Sequence, residues 1–343
     1  MEKGIIDSRY TRQALFYKIG TDGQKKIQKA SAVVIGCGAL GSVIANNLCR
    51  SGVGRIRIVD RDFVELDNLQ RQILFDESDA QNRIPKSIAA VEKLKKVNSS
   101  IELEAVVTDV TPRNVENIIK GFQVVLDGTD NLETRFLLND ASIKLGIPWI
   151  YGAAVGSYGM TMTIMPYQSP CFRCFIRNIP PPGTLATCDH AGVLNSIPSI
   201  VASLQTTAAL KIFVGSRDLS VGQIIWIDVW GNEFHNIMLS KDNNCITCAK
   251  FDFEFLEGKA ISWATVLCGR NMVQITPAEE KEIDLESLRK NLSQVGEVFY
   301  NGFMLITKLE NYELIIFPTG RAMIKGITDV SVARTLYARY IGT

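Results

Sequence analysis

Apolar runs alternate with amphipathic stretches through the first 150 residues of the chain. Runs rich in branched apolar residues at 32–35, 55–59, 101–107, 122–126 and 148–151 predict strands. Helical periodicity fills the intervals between them and predicts helices over 23–29, from the glycine run to about 51, and over 85–97 and 132–145. This alternation is typical of a Rossmann-like α/β domain with a mostly parallel sheet that is covered on both faces.

The pattern changes after Gly152. A strand over 159–165, an amphipathic helix over 199–213 and paired strands over 223–229 and 233–239 predict that antiparallel strands continue the sheet. From about 253, short strands and two helices predict a small α+β appendage. We therefore expect two domains, 1–252 and 253–343.

A glycine-rich turn joins the first strand to the first long helix. Gly36, Gly38 and Gly41 form a GxGxxG pattern, in which the first glycine permits a tight turn, the second lets a phosphate approach the backbone and the third allows close helix–strand packing. Asp60 ends the second strand about 20 residues further on, where a carboxylate can hold ribose hydroxyls. This succession predicts a nucleotide site; the alternative is a glycine-rich turn that binds nothing.

Charged and amide side chains cluster after the second and fourth strands. The irregular stretch 61–72 contains Asn68 and Arg71, and Lys86 follows at the start of a helix. Arginine binds phosphate oxygens bidentately and lysine supplies a point charge, so the set suits a triphosphate, although a solvated loop is the alternative for 61–72. Asp130 follows the fourth strand at the carboxyl edge of the sheet, where we expect it to hold Mg²⁺.

Composition and net charge argue against two classes of protein, those that bind nucleic acids and those that span membranes. The 343 residues are 46% hydrophobic and 21% charged, as in ordinary globular proteins, and the formal net charge is +1. A balanced charge argues against a dedicated nucleic-acid-binding protein. No apolar run approaches the ~20 residues of a membrane span, and the N-terminus lacks the apolar core of a signal peptide, so we expect no membrane partner and a cytoplasmic location.

The eight cysteines indicate metal or redox chemistry rather than disulfides in that compartment. Two CxxC pairs fit a tetrahedral Zn²⁺ with four thiolate ligands, and they comprise Cys171, Cys174, Cys245 and Cys248. We expect this zinc to be structural, with four reduced core cysteines as the alternative. Cys188 belongs to neither pair and lies in a Pro- and Gly-rich segment, so a reactive thiol and an inert one both remain open.

Taken together, these motifs indicate a known family. They are RYTRQ at 9–13, GCGALG at 36–41, NLQRQ at 68–72, PK at 85–86, DGTDN at 127–131, the CxxC pairs, and TCDHAGV at 187–193. Over about 7–250 the chain resembles the ThiF/MoeB adenylyltransferases, relatives of the ubiquitin-activating enzymes. The resemblance implies an enzyme that binds ATP and Mg²⁺ together with the C-terminal Gly-Gly of a ubiquitin-like sulfur-carrier protein. The carrier carboxylate attacks the α-phosphate and gives an acyl adenylate and pyrophosphate.

The resemblance also implies roles for individual residues. The expected catalytic residues are Arg71 and Lys86 on the phosphates, Asp130 on Mg²⁺, Arg12 on the ATP of a neighbouring subunit, and Cys188 in sulfur transfer or a covalent carrier link. The role of Arg12 implies a homodimer. The expected ATP-binding set is Gly36, Gly38, Ala39, Gly41, Asp60, Asp62, Asn68, Leu69, Gln70, Arg71, Lys86, Asp130 and Asn131.

Two departures from the family pattern limit these expectations. Position 39 is Ala where many relatives have Gly, and the C-terminal appendage is not rhodanese-like, so sulfur has to come from a separate donor such as a cysteine desulfurase. The motifs do not distinguish a ThiS-like carrier of thiamine thiazole synthesis from a MoaD-like carrier of molybdopterin synthesis. Two other functions also remain, an NAD(P)-dependent oxidoreductase and a non-catalytic nucleotide-binding module.

Overall fold

The chain divides into two compact units, Met1–Lys259 and Ala260–Thr343. The computed structural model describes residues 7–179, 191–259, 264–267 (backbone), 271–277, 283–309 and 311–342. The boundary between the units, after Lys259, lies seven residues beyond the boundary that the sequence predicts, after residue 252. The reason is that the backbone N–H groups of Phe255 and Leu256 donate to the buried carboxylate of Asp140, so the stretch 253–259 packs within the first unit.

The first unit follows the strand–helix order that the sequence predicts. Its helices are α1 (Thr11–Leu15), α2 (Gly20–Lys29), α3 (Ala39–Ser51), α4 (Glu77–Gln81), α5 (Lys86–Val97), α6 (Val115–Ile119), α7 (Leu132–Leu145), α8 (Phe172–Phe175) and α9 (Ser196–Val214). Its strands are β1 (Ser31–Ile35), β2 (Arg55–Asp60), β3 (Glu102–Val107), β4 (Val124–Asp127), β5 (Trp149–Val155), β6 (Tyr158–Ile164), β7 (Gln223–Asp228) and β8 (Glu233–Met238).

These eight strands form one sheet in the order β3-β2-β1-β4-β5-β6-β7-β8. Neighbours from β3 to β5 pair in parallel and those from β5 to β8 pair antiparallel, so the predicted fold class is confirmed. After β3 the chain crosses to the other side of β1 to form β4. The carboxyl ends of β2, β1 and β4 therefore meet at a switch point, which is where open α/β sheets bind ligands.

Helix α9 is the long helix of the core, and it packs on α2, α3, β5 and β6. It is apolar over much of its circumference and not amphipathic as predicted, although Ile200, Ser203 and Thr207 are exposed on one side. Among the described residues it is the one helix long and apolar enough to cross a membrane, judged by length and composition alone. The sequence expectation that no run approaches that length missed this helix.

In its described residues the second unit has an antiparallel sheet in the order β11-β12-β13-β14-β10-β9 and two helices. The strands are β9 (Ala264–Leu267), β10 (Met272–Ile275), β11 (Glu297–Tyr300), β12 (Leu305–Lys308), β13 (Glu313–Ile316) and β14 (Ala322–Lys325), and the helices are α10 (Leu285–Leu292) and α11 (Val330–Tyr340). Asp284 and Asp329 cap the two helices through backbone N–H groups. Alternate strand residues and one helix face form its core, which confirms the α+β appendage.

Candidate functional site

The turn between β1 and α3 is built from glycines with two different functions. Gly36 has φ +85°, and a Cβ there would stand 2.6 Å from the carbonyl oxygen of Gly128. A Cβ on Gly41 would overlap the Gly36 carbonyl. Gly38 differs, since the nearest atom to a Cβ there is Gln72 Nε2 at 3.9 Å. Packing therefore requires the outer two glycines, whereas the middle one leaves open space on the backbone.

Asp60, at the end of β2, braces this turn. Its Oδ2 accepts a hydrogen bond from the backbone N–H of Cys37 at 2.5 Å, and its Oδ1 accepts one from the N–H of Asp62 at 2.7 Å. Burial raises the pKa of Asp60, and the nearby charge of Lys86 opposes that shift. The carboxylate expected to hold a ribose is thus also the group that fixes the glycine turn to the loop after β2.

The NLQRQ part of the loop after β2 carries two buried amides, Asn68 and Gln72, and the half-buried Arg71. Asn68 donates from Nδ2 to Asp67 Oδ1 at 2.8 Å, while its buried Oδ1 has no hydrogen-bond partner. Arg71 is half-buried and donates from Nη1 to the Asp67 carbonyl at 2.9 Å. Leu69 is half-buried and Gln70 is exposed. Among the described residues no donor reaches this oxygen, and a buried amide oxygen is usually hydrogen-bonded, so it suits a hydroxyl or N–H donor of a ligand.

Lys86 begins α5 and is 5% exposed. Its backbone N–H donates to the Asp62 carbonyl at 2.9 Å, and Phe63 and Pro85 form a β-bridge, so the helix start is tied to the loop after β2. Within the described part of the chain, the ammonium has no ion pair or hydrogen bond. The charge of Lys86 acts on the carboxylate of Asp60 and opposes the rise in that group's pKa, and a largely buried cation is stabilised further by a second anion. This is the feature of the site that points most directly to a phosphate ligand.

The loop after β4 holds a buried ion pair that sequence reasoning missed. Asp127 Oδ2 lies 3.3 Å from Arg135 Nε, and its Oδ1 accepts from the N–H and hydroxyl of Thr129 at 2.9 and 2.7 Å. Arg135 also donates to the carbonyls of Thr129 and Gly152. Burial raises the pKa of Asp127, and Arg135 opposes the shift. The pair fixes the loop, and Asp127 has no exposed oxygen for a metal.

Asp130 and Asn131 end the same loop. Asp130 is exposed, and its charge contributes to the raised pKa values of Arg61 and Arg135, which places it near both guanidinium groups. Asn131 caps α7 by accepting from the Thr134 N–H at 2.8 Å. An exposed carboxylate at this edge is the kind of hard-oxygen ligand that Mg²⁺ prefers.

Arg12 lies on the exposed face of α1. Tyr10 is buried and its hydroxyl accepts from Asn98, while Gln13 donates to Gln24 and to the Ser51 carbonyl. These contacts hold the N-terminal arm on the domain. Arg12 itself makes no hydrogen bond or ion pair with the part of the chain that the structure describes.

The two CxxC pairs converge on one point. The Sγ···Sγ distances are 3.9 Å between Cys171 and Cys174, 3.6 Å between Cys171 and Cys245, and 3.5 Å between Cys174 and Cys248. All four sulfurs lie within 4.8 Å of one another. Tetrahedral Zn²⁺ with Zn–S bonds of about 2.3 Å requires sulfurs about 3.8 Å apart, so the cluster fits this metal.

Side chains beside the cluster fix its geometry. Asn139 donates to Cys171 Sγ at 3.7 Å and accepts from the Phe172 N–H at 2.9 Å. Arg173 forms an ion pair with Glu254 at 2.7 Å. Burial raises the pKa of Asp140, which accepts from Thr247 within the second CxxC turn, to about 6. Cys188 lies outside the described residues.

The comparisons with known proteins agree with this geometry. The ThiF family profile matches residues 10–247. The chain is 42% identical over 340 residues to the sulfur carrier protein ThiS adenylyltransferase of Bacillus subtilis, covering 98% of this chain and 100% of that protein. It is 34% identical over 245 residues to the sulfur carrier protein adenylyltransferase of Thermus thermophilus, covering 70% of this chain and 90% of that one.

A solved structure shows the same fold. Escherichia coli MccB, crystallised with AMPCPP and MccA, superposes with a TM-score of 0.62 at 22% identity, over 71% of this chain and 74% of that one. These findings do not favour the oxidoreductase alternative, and they confirm the resemblance that the motifs indicate. The chain belongs to the ThiF family.

Proposed function

We propose that the chain is an ATP-dependent adenylyltransferase that activates the C-terminal glycine of a ubiquitin-like sulfur-carrier protein and releases pyrophosphate. The observation that carries the proposal is the largely buried side chain of Lys86, whose charge acts on Asp60 and Cys37 next to the open backbone of Gly38 and which forms no hydrogen bond or ion pair among the described residues. A nicotinamide cofactor also carries a diphosphate that a lysine neutralises equally well, so the exposed carboxylate of Asp130, which suits Mg²⁺ on a triphosphate, is the feature that favours ATP. The names of the aligned relatives from B. subtilis and T. thermophilus support the same activity.

In this proposal the three loops at the switch point form one ATP site. Lys86 and Arg71 neutralise the phosphates, and Asp130 holds Mg²⁺. Asn68 Oδ1 accepts a hydrogen bond from a hydroxyl or amino group of the nucleotide. Bound Mg²⁺ supplies positive charge that stabilises the pyrophosphate leaving group. The remaining contacts come from backbone or side chains of Gly36, Gly38, Ala39, Gly41, Asp60, Asp62, Leu69, Gln70 and Asn131.

The chemical step is a displacement at phosphorus. A carboxylate oxygen of the carrier forms a bond to the α-phosphorus, and the bond from that phosphorus to the bridging oxygen breaks. The pyrophosphate leaves with the electron pair. Because the carboxylate is ionised at neutral pH, no general base is needed. The protein contributes charge neutralisation and in-line positioning, which are the terms that Lys86 and Arg71 are placed to supply.

Two further elements belong to the proposal. Arg12, exposed and unpaired on α1, would reach the ATP of a second subunit in a homodimer. The four-cysteine cluster would hold Zn²⁺ as a structural site, since all four positions are filled by thiols and none is left for a substrate. Reduced thiolate ligands require a reducing compartment, which supports a cytoplasmic location.

The carrier is proposed to be ThiS-like. The B. subtilis relative aligns with nearly the whole chain, including the second unit, whereas the T. thermophilus relative aligns with 70% of it. The second unit is therefore shared with a protein named for ThiS. Sulfur would come from a separate donor such as a cysteine desulfurase, and a role for Cys188 in that step stays a hypothesis.

Exchange of labelled pyrophosphate into ATP tests the function. We expect exchange that depends on a ThiS-like carrier ending in Gly-Gly and disappears with the same carrier lacking its last glycine. A MoaD-like carrier with the same terminus is the matched comparison, and we expect a lower kcat/KM for it. Absence of exchange with both carriers would contradict the proposal.

A further inference from the structure

Gln72, the last residue of the NLQRQ motif, has no part in the mechanism above. Its side chain is 4% exposed, yet Oε1 has no hydrogen-bond partner and Nε2 donates to no group in the described part of the chain. Its backbone is satisfied, because its N–H donates to the Asn68 carbonyl and its carbonyl accepts from the Phe75 N–H. Only the side-chain amide is left unpaired.

An amide buried in this way is costly to the free protein. The cost falls on Oε1, which is the atom of this amide that is buried without a partner and so forfeits the hydrogen bond that water would have provided. The position of the amide indicates what completes it, since Nε2 lies 3.9 Å from where a Cβ on Gly38 would stand. The group therefore faces the same open backbone at which a phosphate is expected.

We infer that the Gln72 amide joins the two substrates, with Nε2 donating to an α-phosphate oxygen of ATP and Oε1 accepting from the peptide N–H of the carrier's terminal glycine. The inference rests on the proposed function. Phosphate oxygens accept hydrogen bonds but cannot donate them, so ATP phosphate satisfies Nε2 and leaves Oε1 without a partner. The attacking glycine brings an N–H one carbon away from its carboxylate.

Such a bridge positions the reaction. Contacts to the phosphate on one side and to the attacking residue on the other restrain the angle between the carboxylate oxygen and the α-phosphorus. The contact to the phosphate forms with ATP alone, whereas the contact to the carrier forms only when both substrates are bound, so loss of the side chain raises the KM for ATP and lowers kcat by a larger factor.

Substitutions of Gln72 test the inference in the full-length protein. We expect Gln72→Ala to lower kcat of pyrophosphate exchange about 10- to 100-fold without lowering the Tm, because the removed amide makes no hydrogen bond in the free protein. Gln72→Glu keeps an acceptor but places a negative charge toward the phosphates, so it raises the KM for ATP as well. Gln81→Glu, on the exposed end of α4, is the matched charge control and should leave exchange unchanged.

A modified carrier separates the two halves of the bridge. A carrier whose last glycine is replaced by glycolic acid has an ester oxygen where the peptide N–H was. We expect it to slow the wild-type enzyme about 10-fold and the Gln72→Ala enzyme no further, since the contact is already lost.

Each other result overturns a stated claim. Additive losses for Gln72→Ala and the glycolate carrier would exclude the contact to the carrier. Wild-type kcat in Gln72→Ala would overturn the inference and leave the proposed adenylation intact. A lowered Tm in that variant, with kcat and KM for ATP unchanged in the folded fraction, would make the residue structural. Absence of exchange in the wild-type enzyme would instead contradict the proposed function.

Discussion

Substitution of two glycines in the β1–α3 turn is expected to have opposite effects on stability and on ATP binding. Packing requires Gly36 and Gly41, whereas Gly38 has room for a methyl group. Gly38→Ala adds a methyl group whose nearest neighbour, Gln72 Nε2, is 3.9 Å away. The fold has room for it, and we expect the free energy of unfolding to change by less than about 1 kcal/mol. The methyl occupies the open backbone surface at which a phosphate would approach. ATP affinity should therefore fall at least tenfold, about 1.4 kcal/mol.

Gly36→Ala is the opposite case. The residue has φ +85°, and its methyl would stand 2.6 Å from the Gly128 carbonyl oxygen. The left-handed backbone costs about 1–2 kcal/mol, and overpacking against a backbone that cannot move costs about 1–3 kcal/mol more. We expect the Tm to fall by at least about 4 °C.

Two measurements check the pair. Calorimetric titration with ATP and Mg²⁺, without carrier, gives the affinity, and differential scanning calorimetry gives the Tm. Wild-type ATP affinity in Gly38→Ala would refute the placement of the phosphates over this turn. An unchanged Tm in Gly36→Ala would refute the close contact between the loops after β1 and β4.

Three other predictions follow from the site. Arg71→Ala and Asp130→Ala should remove pyrophosphate exchange while leaving the Tm within about 2 °C, because both side chains lie at least partly in solvent; retained exchange in both would overturn the assignment. Removing metal from the four-cysteine cluster should lower the Tm more than it lowers kcat of the protein that stays folded, and the reverse would make the metal catalytic. Burial raises the pKa of Asp140 from 3.8 to about 6, so the folded protein binds this proton more tightly than the unfolded chain does. The resulting stabilisation is fully present below pH 4 and is lost as the pH rises through 6. Carboxyl ¹³C NMR, assigned with Asp140→Asn, should give a midpoint near 6, and a midpoint below 4 would contradict the burial argument.

Local pattern was enough to predict the order of elements around the switch point. The period of the apolar residues and the glycine turn define β1, α3 and β2, and a strand followed by DGTDN defines the end of β4. Parallel strands align their carboxyl ends, so the sequence brings Asp60, Lys86 and Asp130 to one edge without knowledge of the fold. Their individual contacts depend on side-chain directions that the pattern does not contain.

The missed features all depend on partners distant in sequence. Arg135 lies on a helix whose composition looks ordinary, and only the packing of α7 against β5 brings it to Asp127. Asp140 similarly faces backbone N–H groups more than 100 residues away. Gln72 was part of a recognised motif, but its unpaired amide is visible only once its surroundings are known. Buried polar groups carry no periodic signal of their own.

The convergence of the CxxC pairs also bears on the unfolded chain. Cys171 and Cys245 are 74 positions apart, so a metal held between them closes a long loop that contains α9 and β7. By the chain-entropy estimate used for disulfides, closing a loop of this length stabilises the native state by about 4 kcal/mol. A thiolate–metal cross-link gives this restraint without an oxidising environment. Because each CxxC turn supplies two of the four sulfurs, the loop would open only when both sulfurs of one turn are lost, so each turn holds its end of the loop twice over.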